Sequence, residues 1–124
     1  MSYFTRCEHP IHGPGFPPIV VLCGSTRFAD AFREADIRET AAGRIVLSIG
    51  CDMRTDHELW NDPADRERLK TELDELHKRK IDLADQVLVL NVGGYIGEST
   101  RGEIAYAESL GRPVRYLEPL PGGR

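Results

Sequence analysis

At 124 residues, 40% hydrophobic and 29% charged, the chain is sized for one soluble globular domain and too short for two cores. A formal net charge of -4 argues against the basic face that a nucleic-acid polymer requires, but leaves room for a single local phosphate site. No apolar run approaches the roughly 18 residues of a membrane span. The N-terminus lacks the basic and apolar blocks of a secretory signal. Three cysteines without framework spacing suit reduced thiols in a cytoplasmic setting.

Residues 1–17 read as an irregular arm, because Pro10, Gly13, Pro14, Gly15 and Pro17 oppose any regular element. Ile19-Val20-Val21-Leu22-Cys23 is a continuous apolar run closed by Gly24-Ser25-Thr26, the pattern of a strand buried on both faces. A helix is predicted from about Phe28 to Ala42, with Phe28, Ala31, Phe32 and Ala35 on one face and Gly43 as its stop. Ile45 to Ser48 is a second short strand. A polar loop from Gly50 to Asp62 then leads to Pro63, a first-turn proline. Leu69, Leu73, Leu76, Ile81 and Ala84 form the expected inner stripe of a long helix. The charged stretch Leu76 to Lys80 reads chiefly as a solvated face. Gln86 to Leu90 is a third apolar strand, and Asn91 to Gly97 a glycine-rich loop. A helix from about Thr100 to Leu110 follows, then a strand at Val114 to Leu117 and a tail from Pro119 to Arg124.

The order β-α-β-α-β-α-β, with no internal repeat, predicts a single α/β domain over residues 18–118. Its parallel sheet should be Rossmann-like or flavodoxin-like, in strand order 2-1-3-4, with helices on both faces. Strands 1 and 3 then lie side by side at the topological switch point. The loops after them, Gly24–Arg27 and Gly93–Ser99, converge on one crevice.

Those loops hold the candidate chemistry. Gly24, Ser25 and Thr26 form one possible anion cradle, with Arg27 able to add a charge-assisted bond; alone, the same residues also suit a capped strand-to-helix turn. Gly94, Gly97 and Ser99 form the second cradle, where glycines admit backbone N–H groups and a helix N-terminus adds its dipole. Tyr95 can cover a ligand or merely pack its loop. Glu98 is either a second site carboxylate or a solvated acid.

Glu103 lies one turn into the helix, aimed at the same mouth. A carboxylate beside a sugar C1 can act as nucleophile or stabilise oxocarbenium-like charge. The competing reading is a capping box, Thr100-x-x-Glu103, in which the glutamate only satisfies a backbone donor. Counting back along the long helix from Ala84 brings Asp74 and His77 to the level of the crevice. Cys7, His9 and His12, with Cys51 or His57, do not have the spacing of a zinc module, and Pro10 interrupts them, so no metal and no cofactor are expected. Cys23 reads as a small core residue.

Taken together, Val20 to Arg27, Ala84 to Leu90, Gly97 to Ala107 and Gly111-Arg112-Pro113-Val114 resemble the nucleoside 2-deoxyribosyltransferase-like family, which includes 2'-deoxynucleoside 5'-phosphate N-hydrolases. The likeness spans about residues 19–117. It implies that Glu103 attacks or stabilises the anomeric carbon, that Ser25, Arg27 and Ser99 grip a 5'-phosphate, and that a second copy helps close the pocket of a homo-oligomer. One position departs from the family pattern. Where the family usually carries an aspartate eight residues before the acid that opens strand 3, this chain has His77, with Asp74 one turn earlier as an alternative.

The expected function is cleavage or exchange of the base–sugar bond of a nucleoside 5'-monophosphate, of the deoxy series, with a small-molecule nucleotide or nucleoside as partner. Two other readings stand beside it. One is a non-catalytic nucleotide-sensing domain, kept open by His77. The other is a cytokinin-type phosphoribohydrolase, whose Gly-Gly-x-Gly-Thr-x-x-Glu pattern Gly93 to Glu103 matches loosely.

Overall fold

The computed structural model describes residues 15–122. The first fourteen residues of the expected arm, with Cys7, His9 and His12, lie outside them, as do the last two residues of the tail. Four strands, β1 (Ile19–Cys23), β2 (Ile45–Leu47), β3 (Gln86–Val89) and β4 (Val114–Tyr116), alternate with three α-helices, α1 (Ala29–Ala41), α2 (Pro63–Leu83) and α3 (Glu98–Ser109). All pairings are parallel and the strand order is β2-β1-β3-β4, as the sequence pattern predicts.

Side chains alternate across each strand, so the sheet buries two different faces. Val20 and Leu22 of β1, with Leu88 and Leu90, pack under Ala31, Phe32 and Ala35 of α1. Val21 and Cys23, with Val87 and Val89, pack under Ile81 and Ala84 from the α2 end and Ile104 and Ala107 of α3. Every residue of β1 is buried, which is why its sequence is apolar without alternation. No helix among the described residues is long and apolar enough to cross a membrane.

Two helices differ from the sequence expectation, and both differences bear on the crevice. In α2, Leu76 is 49% exposed whereas His77 is 4% exposed. Ile81 and Ala84 fix the phase of the buried stripe, and counting back four residues at a time from Ile81 reaches His77 and Leu73, not Leu76. The charged stretch is therefore solvated only in part. In α3, the helix begins at Glu98 with Gly97 as N-cap, and no side chain caps it. Thr100 is consequently inside the first turn, and the capping-box geometry for Glu103 does not exist.

The lengths of the elements shape the crevice. At about 1.5 Å per residue, the 21 residues of α2 extend roughly 31 Å, while a five-residue strand such as β1 spans roughly 17 Å. α2 enters from the carboxyl edge of the sheet, and His77 meets Cys23 at the last residue of β1. The first half of α2 therefore projects past that edge. Asp62 caps it by accepting from the Ala64 N–H at 2.9 Å, and Pro63 occupies the first turn, where no N–H is needed.

Candidate active site at the carboxyl edge of the sheet

The loops after β1 and β3, the segment after β2, the N-terminus of α3 and the overhanging half of α2 enclose a cleft of about 530 Å³. That volume suits a small-molecule ligand. Gly24 sits on its floor, where a Cβ would lie 3.2 Å from the Leu90 carbonyl oxygen and 3.3 Å from Leu90 Cβ. Only a glycine lets β1 turn out this close to the end of β3. Of the site residues expected from the sequence, Gly24, Ser25, Thr26, Asp74, His77, Tyr95, Gly97, Ser99 and Glu103 all border the cleft. Arg27 and Gly94 do not.

Glu103 borders the cleft as a buried acid. Its residue surface is 8% exposed, and its Oε1 is buried with no oxygen or nitrogen donor among the described residues, the weakly donating Cys23 thiol being its one polar neighbour besides His77. A buried carboxylate oxygen without a strong donor is costly in the ionised form. Burial accordingly pushes the Glu103 carboxyl up from its ordinary 4.5 to about 7. His77 lies beside it, Nε2 to Oε1 at 3.8 Å, and Cys23 Sγ approaches the same His77 nitrogen at 3.3 Å. Burial, reinforced by the positive charge of Lys80, lowers the imidazole to about 4. The ring is thus neutral at pH 7, and its contact with Glu103 is not an ion pair. Desolvation therefore holds His77 in one protonation state near neutrality. Burial also pushes the Cys23 thiol well above its ordinary value, so it stays a neutral thiol between His77 and Glu103.

The Cys23, His77 and Glu103 ligand atoms all lie within 4.8 Å of one another. Such a mixed sulfur, nitrogen and oxygen set could hold a soft divalent cation. It would require thiolate and carboxylate together, which is opposite to the direction in which burial drives both groups. Cys51 borders the cleft, and His57 stacks on Trp60 with ring centroids 4.7 Å apart while its Nδ1 accepts from the Leu59 N–H.

The first loop is more self-occupied than its sequence suggests. Ser25 Oγ accepts from both the backbone N–H and the Nε of Arg27, at 3.3 and 3.2 Å. Thr26 Oγ1 donates to Asp52 Oδ1 at 2.9 Å, tying this loop to the segment after β2. The Arg27 guanidinium lies 4.5 Å above the centre of the Tyr95 ring, and Phe28 meets that ring edge-on at 6.0 Å. Arg27 therefore braces Tyr95 from outside the cleft. At the second loop, Gly97 passes close under Tyr95, where a Cβ would be 3.1 Å from the phenolic oxygen. The N-terminal turn of α3 presents Glu98, Ser99 and Thr100 to the cleft, and its orphan N–H groups favour an anion there.

Sequence reasoning missed the cations of the opposite wall. Arg54, Arg66, Lys70 and Lys80 all border the cleft. The signal was present in α2: positions 66, 70, 73, 77 and 80 recur at helical spacing on the face that carries His77.

The doubly wound α/β class is defined by this sheet order and by a cleft at the switch point between β1 and β3. The sequence matches no protein-family model and no curated protein. Among solved structures, the fold is similar to that of a 2-deoxyribosyltransferase from the psychrotolerant bacterium Bacillus psychrosaccharolyticus, a biocatalyst for nucleoside synthesis. The TM-score is 0.58 over 83% of this chain and 74% of that one, at 17% identity, a likeness of fold.

Proposed function

We propose that the protein is an N-glycosidase that cleaves, or exchanges, the base–sugar bond of a nucleoside 5'-monophosphate of the deoxy series, with Glu103 as nucleophile. The observation that carries this reading is the Glu103 carboxyl, buried, without an oxygen or nitrogen donor at Oε1 among the described residues and bordering an open cleft. A capping or core-pairing role would have given that oxygen a backbone N–H or a cationic donor rather than only a weakly donating thiol. The fold similarity to a 2-deoxyribosyltransferase supports the same class of chemistry.

In this mechanism the ionised Glu103 attacks C1', and the electron pair of the C1'–N bond departs with the base, which takes up a proton from cleft water. Water then attacks the glycosyl ester, releases the sugar phosphate and restores the carboxylate. A second base in place of water gives transfer. A desolvated carboxylate with a raised pKa is a stronger nucleophile than a solvated one, because its charge is not stabilised before it attacks. The neutral His77 ring shields Glu103 on one side without adding a positive charge that would lower its basicity.

The test is a panel of nucleosides and 5'-monophosphates, with free base measured by chromatography. Release from monophosphates that is abolished by Glu103→Ala but retained in Glu98→Ala is the expected result. Base exchange that requires an acceptor identifies the transferase. Saturable binding without turnover across the panel identifies a sensing domain and removes the enzymatic reading.

A further inference from the structure

A phosphorylated ligand needs fixed positive charge, and the first loop does not deliver it to the cleft. Arg27 is outside, stacked on Tyr95 and bonded through Nε to Ser25. The cations inside belong to the segment after β2 and to α2. Lys80 is committed to the Ser48 carbonyl at 2.6 Å. Lys70 pairs with Asp74 at 3.1 Å, both side chains being about half exposed. Arg66 donates one NH1 bond to the Met53 carbonyl, which fixes its position and leaves its other donors available. The Arg54 side chain makes no hydrogen bond or ion pair among the described residues.

The acids bordering the same cleft are Asp74, Glu98 and Glu103. Asp74 is paired with Lys70, and Glu103 is held partly protonated at neutral pH. Arg54 and Arg66 therefore leave the α2 side of the cleft net positive.

We propose that this wall is an anion site: the phosphate of the ligand docks against Arg54, Arg66 and Lys70, across the cleft from α3, and the ligand class is a phosphorylated rather than a free nucleoside. The nucleoside part of this assignment rests on the N-glycosidase reading; the anion site does not. Guanidinium groups suit the role, since their planar forks match phosphate oxygens in pairs.

The experiment is calorimetric titration of the Glu103→Gln protein, which suppresses turnover, with a deoxynucleoside 5'-monophosphate and with the matching nucleoside. The nucleotide is expected to bind at least about tenfold more tightly, the scale of one or two charged hydrogen bonds. Arg54→Ala and Arg66→Gln should each remove most of that difference while leaving nucleoside affinity unchanged, and added salt should reduce it. Arg66 also supports the loop, so Arg54→Ala, which breaks no side-chain bond, is the variant that decides. Equal affinity for nucleoside and nucleotide overturns the proposal. So does loss of the difference in Arg27→Ala or Ser99→Ala with Arg54→Ala intact. The expected binding pattern, with no base released by the unmutated protein, upholds the anion site and overturns the glycosidase. No binding of either ligand overturns both.

Discussion

Near pH 7 the Glu103 carboxyl is close to its midpoint, so modest changes of acidity change how much of it is ionised. In the proposed mechanism only the ionised form attacks, so activity is expected to rise as pH increases through about 7 and to level off above it. His77, lowered to about 4, contributes no inflection between pH 6 and 8. A rate profile that is flat from pH 5 to 9 would remove Glu103 from the rate-determining step. The same displacement has a stability consequence. A folded-state pKa of about 7 against an ordinary 4.5 means that the contribution of Glu103 is fully present below about 4.5 and is lost as pH rises through 7. His77 acts oppositely: its contribution is present above its ordinary 6.5 and is lost as pH falls through about 4. Glu103→Gln, which cannot ionise, should therefore stabilise the fold at pH 8 by roughly 2 to 3 kcal/mol and have little effect near pH 4. Denaturant titrations at the two pH values measure this directly. A site residue whose removal stabilises the protein is the signature of a functional rather than a structural carboxylate.

Among the elements, the turn after β1 is the least tolerant of change. Gly24→Ala puts a methyl group within 3.2 Å of the backbone of Leu90, so β1 and the end of β3 must separate at the floor of the cleft. A loss of about 1 to 3 kcal/mol is expected in chemical denaturation. By contrast, the added methyl of Gly97→Ala would meet chiefly the far end of the Tyr95 side chain. That variant should keep its stability and weaken ligand binding by moving the ring. The strands were legible from residue type alone, since buried parallel strands are continuous apolar runs, as Ile19–Cys23 shows. The helices were read less well. By residue type Leu76 belongs to the inner stripe, but the phase set by Ile81 and Ala84 puts His77 there instead. The start of α3 at Glu98 rather than Thr100 was hidden for a related reason: a glycine N-cap leaves no side-chain signature, whereas Thr100 and Glu103 imitate one.

For the molecule as a whole, connectivity rather than detailed packing fixes where the cleft must be. Four apolar strands in β-α alternation, with right-handed crossovers, leave one switch point, and the two glycine-rich loops fall on it. Glu103 could be placed near the cleft from sequence because α3 starts at the end of the loop after β3. Its burial without an oxygen or nitrogen donor could not, because that depends on His77 and Cys23 arriving from two other elements. The cationic wall was hidden for the same reason: Arg54 lies in an irregular segment whose path is set by Trp60, buried and bonded through Nε1 to the Thr55 carbonyl at 2.7 Å.

α2 is supported unevenly along its length. Its buried residues are His77 and Ile81, and none precedes His77. The backbone amides of its outer turns should open by fraying, independently of global unfolding, while those around Ile81 should open only with the sheet. Hydrogen–deuterium exchange is expected to show a steep gradient of protection along this one helix, rising toward Leu83. A bound anion bridging Arg66 and Lys70 would flatten that gradient without any change of fold, turning half a helix into a recorder of occupancy.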